Sequence, residues 1–204
     1  MSSYVSTKSR MDIHMITKIS ILGALSFILM MLQFPMPIAP AFYQLDFSEV
    51  IVLIGGFALG PWAAVCIEGL KIILNLIING TMTMGVGEIA NFLIGCAFVL
   101  PAILIYRKEK TKKHAFVGLL VGIVCMTLMG IVMNYFVLIP AYTAFANIPL
   151  ATILSMGNAI NSSINGLWGL ILICVVPFNI VKGVLVSAIV ALCYKKVSPV
   201  LKRL

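Results

Sequence analysis

Four charged side chains interrupt stretches that are otherwise apolar: Glu68, Lys71, Glu88 and Lys182. A charge inside hydrocarbon is costly unless it is paired or faces a cavity, so each is a candidate for function. Glu68 and Lys71 stand three apart, the spacing at which helical side chains meet. That spacing suits a local ion pair and a ligand or helix contact alike. Glu88 and Asn91 repeat it, with Gly95 on the same face at i+7. Glu88 also falls in the first turn of its helix, where the dipole favours a carboxylate, so a capping charge and a pocket-lining pair both stay open. Asn179 and Lys182 share the spacing again, and no acid lies within a turn of Lys182. Its charge therefore needs a partner from a distant part of the fold or from a ligand. Asn134 adds an amide at similar depth. Two amides and an ammonium on neighbouring helices offer donors and acceptors to a planar, multiply hydrogen-bonding ligand. The abundant Leu, Ile, Val, Phe and Met residues supply apolar walls.

Other chemistry is absent from the sequence. No G-x-x-x-x-G-K-[ST], H-E-x-x-H or G-x-S-x-G pattern occurs, so neither nucleotide hydrolysis nor the familiar hydrolase mechanisms are expected. Cys66, Cys96, Cys125, Cys174 and Cys193 are odd in number, lie in apolar stretches and lack C-x-x-C spacing. They read as small core residues, with neither a disulfide framework nor a metal site. A convincing internal repeat is lacking.

The elements that must position these residues are membrane helices. Of 204 residues, 62% are hydrophobic and only 10% charged, against about a quarter charged in soluble domains. Mean hydropathy is +1.14. This excludes a soluble enzyme, a nucleic-acid-binding domain and a disordered chain. The net charge of +8 reflects topology: all Lys and Arg except Lys71 and Lys182 fall near the N-terminus, between 107 and 113, or at the C-terminal end. Apolar runs and breaks predict a single transmembrane domain over 1–204 with six helices, at about 15–33, 47–59, 61–78, 86–106, 115–139 and 177–194. Pro140 is expected to stop the fifth helix and Pro177 to begin the sixth. The segment 141–168 is expected to be an external loop with an amphipathic helix at the interface, or a partly inserted segment. Six crossings place all three basic clusters, and both termini, on the cytoplasmic side. Small residues four apart, Ser20 with Ala24, Gly56 with Gly60 and Gly118 with Gly122, mark faces for close helix packing or for a partner membrane protein.

Six short blocks carry a family resemblance over about 16–201. They are Ala24-Leu-Ser-Phe-Ile-Leu-Met-Met, Asp46-Phe-Ser-Glu, Gly55-Gly-Phe-Ala-Leu-Gly-Pro61, Gly85-Val-Gly-Glu-Ile-Ala-Asn-Phe92, Met133-Asn-Tyr-Phe136 and Pro177-Phe-Asn-Ile-Val-Lys-Gly183. In this order the chain resembles the substrate-binding S components of energy-coupling-factor (ECF) vitamin transporters, specifically the riboflavin-specific type. The resemblance implies an all-α, six-helix membrane protein that captures riboflavin from outside as a transported ligand, with no cofactor and no enzymatic activity. It implies that Asn134, Asn179 and Lys182 bind the isoalloxazine edge, that Tyr43, Gln44 and Leu45 belong to a loop closing over the ligand, and that Glu88 and Asn91 match by pattern. Ser20 and Ala24 correspond to the family's docking face for a transmembrane coupling protein, which acts with two cytoplasmic ATPases. Another vitamin, such as folate, thiamine or pantothenate, is the alternative ligand. A membrane-embedded lipid-modifying enzyme is the alternative class.

Overall fold

A computed structural model describes the backbone of residues 13–203 and side chains of residues 13–193. Lys8 and Arg10 lie outside the described residues, as do the side chains of Lys195, Lys196, Lys202 and Arg203. The chain opens with α1 (Ile13–Met31), followed by an antiparallel pair, β1 (Phe34–Pro35) and β2 (Gln44–Leu45). Then come α2 (Ser48–Leu59), α3 (Pro61–Asn79), α4 (Val86–Glu109) and α5 (Lys112–Met133). A π-helical turn (Asn134–Leu138) joins α5 to α6 (Ile139–Phe145), and α7 (Leu150–Ile160) follows. Last, α8 (Gly166–Leu170), a second π-helical turn (Ile171–Val175) and α9 (Val176–Arg203) run on as one rod.

Five helical spans are long and apolar enough to cross a membrane: Ile13–Met31, Pro61–Asn79, Val86–Glu109, Lys112–Phe145 and Gly166–Cys193. The second expected crossing, α2, has 12 residues and a length of about 18 Å, well short of a hydrocarbon core of about 30 Å. It can be short because protein, not lipid, surrounds it. Glu49, Val50, Val52, Leu53, Ile54 and Phe57 are all buried, and α1, α3, α4 and α9 pack around it. A helix apolar on every side belongs inside the bundle.

The two rods correct the expected boundaries. The fifth helix does not stop at Pro140, and the sixth starts at Gly166 rather than near Pro177. A proline inside an α-helix removes one hydrogen bond and clashes with the carbonyl four residues back. In both rods the residue before the proline instead donates five residues back, Ile139 N–H to the Asn134 carbonyl and Val176 N–H to the Ile171 carbonyl. The wider turn makes room for the ring, and the rod continues. The segment 141–168 is accordingly mostly helical, with irregular chain only at 146–149 and 161–165.

Helices α4 and α5 form the closest pair. A Cβ on Gly118 would stand 2.6 Å from the Ala102 carbonyl oxygen, and one on Gly122 2.5 Å from that of Phe98. These small residues thus serve internal packing. A backbone oxygen cannot step aside as a side-chain tip can, so Gly118→Leu or Gly122→Leu is expected to cost about 3 kcal/mol. A thermal melt in mild detergent checks this, and a midpoint matching wild type would contradict the packing.

Candidate functional site

At the end of the bundle remote from the basic loop between α4 and α5, the helices part around a cavity of about 580 Å³. That volume lies within the range of small-molecule sites. Its wall combines residues from the β1–β2 loop, the α3–α4 loop, the start of α4, the π-turn after α5, and α9. Tyr43, Gln44, Glu88, Asn91, Asn134, Asn179 and Lys182 all line it. Leu45 does not: it is wholly buried and packs into the core beneath the loop with Ala39, Ile139 and Phe178. Alternation along β2 explains the difference, since adjacent strand residues point to opposite sides. Gly95, farther along the face of Glu88 and Asn91, does not line it either; a Cβ there would meet Glu68 Cδ at 2.8 Å. Ser20 and Ala24 lie elsewhere, exposed on α1 among Ile16, Ile21, Leu25 and Ile28, which are exposed as well.

The amides are held by their own helices. Asn134 Nδ2 donates to the Gly130 carbonyl at 2.8 Å, and Asn179 Nδ2 to that of Val175 at 2.9 Å. The Tyr43 hydroxyl donates to Asn134 Oδ1, tying the loop to α5. Phe42, Tyr43, Tyr142 and Phe178 form a contiguous aromatic set, with ring centroids 4.5 to 5.7 Å apart, and all four line the cavity. Glu88 accepts from Thr81 Oγ1 at 2.9 Å, closing the rim beside the α3–α4 loop.

Lys182 finds its partners across the fold. Its Nζ lies 2.9 Å from Asp46 Oδ2 and 3.2 Å from Glu49 Oε1. Sequence reasoning missed both acids as site residues, although Asp46 and Glu49 line the cavity. The available signal was scarcity: with six acids in the whole chain, two placed three apart at the start of an apolar helix invite a buried cation. Glu68 and Lys71 do pair, with Nζ 2.7 Å from Oε1, and Lys71 also approaches Glu49 Oε1 at 3.4 Å. Asp46, Glu49, Glu68, Lys71 and Lys182 are all buried. Burial alone would make the Asp46 carboxyl a weaker acid. The Lys182 and Lys71 ammoniums and the Ser48 hydroxyl outweigh it and hold the carboxyl well below the usual carboxylate range.

Membrane-length helices closed around a cavity of amides, one ammonium and aromatic rings define a membrane-embedded binding protein for a small, partly apolar molecule. The comparisons are specific. The chain belongs to the ECF transporter, substrate-specific component family, whose model matches residues 14–194. It is 32% identical over 190 residues to the riboflavin transporter FmnP of Bacillus subtilis (strain 168), covering 93% of this chain and 94% of that protein. It is 36% identical over 186 residues to the riboflavin transporter RibU of Staphylococcus aureus (strain TCH60), covering 91% of each. A solved S component of a bacterial ECF transporter shares the fold with a TM-score of 0.70 and 34% identity, over 92% of this chain and 97% of that one. The protein is therefore a multi-pass bacterial membrane protein and a transporter component, not a lipid-modifying enzyme.

Because Asp46 is more acidic folded than unfolded, its stabilisation is present above the unfolded value and lost only as the pH falls through the folded one. Asp46→Asn is expected to cost roughly 2 kcal/mol at neutral pH. The gap between variant and wild-type melting curves should persist down to about pH 4. A gap that closes between pH 7 and 6 would show that Asp46 gains its proton in the neutral range.

Proposed function

We propose that this protein captures riboflavin from the outer face of the membrane as the S subunit of an ECF importer. The carrying observation is the cavity itself: three helix-borne polar side chains, Asn134, Asn179 and Lys182, beside an aromatic set, in a chain whose relatives are named riboflavin transporters. The pyrimidine edge of an isoalloxazine presents both carbonyl acceptors and an N–H donor. Amides match this alternation because each carries both functions, and a lysine adds a donor. The aromatic rings suit the flat face of the ligand. Gln44, Glu88 and Asn91 give the rim acceptors and donors for the ribityl hydroxyls, and Tyr43 joins the loop to the site.

The topology proposed with this function has six crossings, with α2 as the enclosed sixth and both termini cytoplasmic. Arg107, Lys108, Lys110, Lys112 and Lys113 lie at the end of the bundle opposite the cavity, which supports an outward-facing site. Ser20 and Ala24 form the docking face for a transmembrane coupling protein that works with two cytoplasmic ATPases. Their exposure among apolar neighbours supports that role, since small residues let a partner helix approach closely.

Protein purified in mild detergent should be yellow and release riboflavin on denaturation. Asn179→Ala and Lys182→Ala should each weaken riboflavin binding by about tenfold or more, measured by fluorescence quenching. Colourless protein that fails to quench added riboflavin would redirect the assignment to another vitamin, with folate, thiamine and pantothenate as the compounds to screen. Ala24→Trp should leave riboflavin binding by the purified protein intact and abolish uptake by cells carrying the coupling module. Unimpaired uptake would remove α1 as the docking face.

A further inference from the structure

Behind the cavity wall lie three polar side chains that do not line it: Ser48, Glu68 and Lys71. All three are wholly buried. Lys71 Nζ donates to Ser48 Oγ at 3.1 Å, and Ser48 Oγ in turn donates to Asp46 Oδ1. The same ammonium stands 3.4 Å from Glu49 Oε1, the oxygen that Lys182 approaches at 3.2 Å. Both carboxylates facing Lys182 are thus held by Lys71, one directly and one through a hydroxyl. Glu68 supports Lys71 from the rear. The Glu68 oxygens have no aligned hydrogen-bond donor, and Lys71 is their one direct ion-pair partner among the described residues.

Charge counting shows what Lys71 does. Three acidic side chains, Asp46, Glu49 and Glu68, share two ammoniums at and behind the cavity wall. Without Lys71, Asp46 and Glu49 would be left with Lys182 as their only ion-pair partner among the described residues, and its ammonium would be drawn toward them and away from the cavity. Removing one partner of a buried pair exposes the others to an uncompensated charge.

We propose that Lys71 is a positioning residue for the ligand: from behind the cavity it fixes Glu49 and Asp46, and through them the place where Lys182 presents its ammonium. This rests on the reading of the cavity as a riboflavin site. A residue that only tied α3 to α2 would affect stability without touching the ligand's surroundings.

The test compares riboflavin affinity and the visible absorption band of bound flavin, which responds to hydrogen bonding at the ring edge. Lys71→Met should weaken binding about tenfold and shift the bound band in the same sense as Lys182→Met. Gly118→Ala, a destabilising change far from the cavity, serves as control and should leave both unchanged. Adding Glu49→Gln to Lys71→Met should weaken binding no further, because both act on one oxygen; losses that multiply would overturn the proposal. If Lys71→Met does not fold, Ser48→Ala cuts the relay to Asp46 while leaving every charge paired. It should give a smaller loss with the same band shift, and an unchanged band would overturn the proposal. Melting of ligand-free protein supplies an arm independent of riboflavin. Lys71→Met and Lys182→Met should show strongly non-additive losses, since their ammoniums share Glu49, and additive losses would overturn the proposal. Variants that melt in this coupled way, in a protein that binds no riboflavin, would sink the ligand assignment and leave only the coupling of Lys71 to Lys182 standing.

Discussion

Ammoniums buried at membrane depth cannot be left alone, and this constraint organises one end of the protein. Lys71 and Lys182 sit on α3 and α9, far apart in sequence, and both need anions. The acids that serve them, Asp46 and Glu49, lie at the start of α2, the one helix enclosed by the others. Satisfying the charges therefore draws three helices and the β1–β2 loop to a common point. An isolated buried ion would cost far more than the few kcal/mol by which such a fold is stable. The cluster is thus a strong condition on how the bundle closes. It also explains why a 12-residue helix can hold a central position: its N-terminus is anchored by ion pairs and its body by apolar packing on every side.

The same cluster makes the cavity's polarity predictable. Lys182 can face a ligand because its charge is already balanced by Asp46 and Glu49. A lysine that depended on the ligand for its counter-ion would favour an anion. One already paired acts mainly as a hydrogen-bond donor of fixed direction, which suits an uncharged polar edge. Asn134 and Asn179 are likewise fixed by bonds from their amide nitrogens to their own helices. Preorganised donors and acceptors lower the ordering cost of binding, the part of affinity that contact area does not report.

Much of this was legible in the residues taken singly. Asn134, Asn179 and Lys182 stood out because polar groups in apolar runs demand a reason, and they do meet around one cavity. The Glu68–Lys71 pair followed from helical spacing. What stayed hidden was non-local. The sequence separation of 136 between Lys182 and Asp46 leaves no periodic trace, so nothing local joins the acids to their lysine. Leu45 came with Tyr43 and Gln44 from the family resemblance, and a resemblance between loops does not say which of their side chains face the cavity. Gly95 shares a helix face with Glu88, but the neighbour on that face changes from cavity to Glu68 along the helix.

The prolines show most clearly why local rules fell short at the site. Pro140 and Pro177 are each preceded by a π-helical turn ending two residues earlier. In both rods the distortion absorbs what would otherwise break the helix. The first turn begins at Asn134, whose own N–H still bonds back into α5, and the second ends four residues before Asn179, which is therefore rotated from where a regular helix would carry it. The two turns also contact each other. A single π-turn adds a residue to one turn of helix and rotates everything beyond it, which is why such turns recur at functional sites. The prolines that appeared to divide the sequence into helix and loop are better understood as part of the device that aims its amides. Their cost to helix stability is tolerable because the first rod is held by α4, the second by α2, and each by the other.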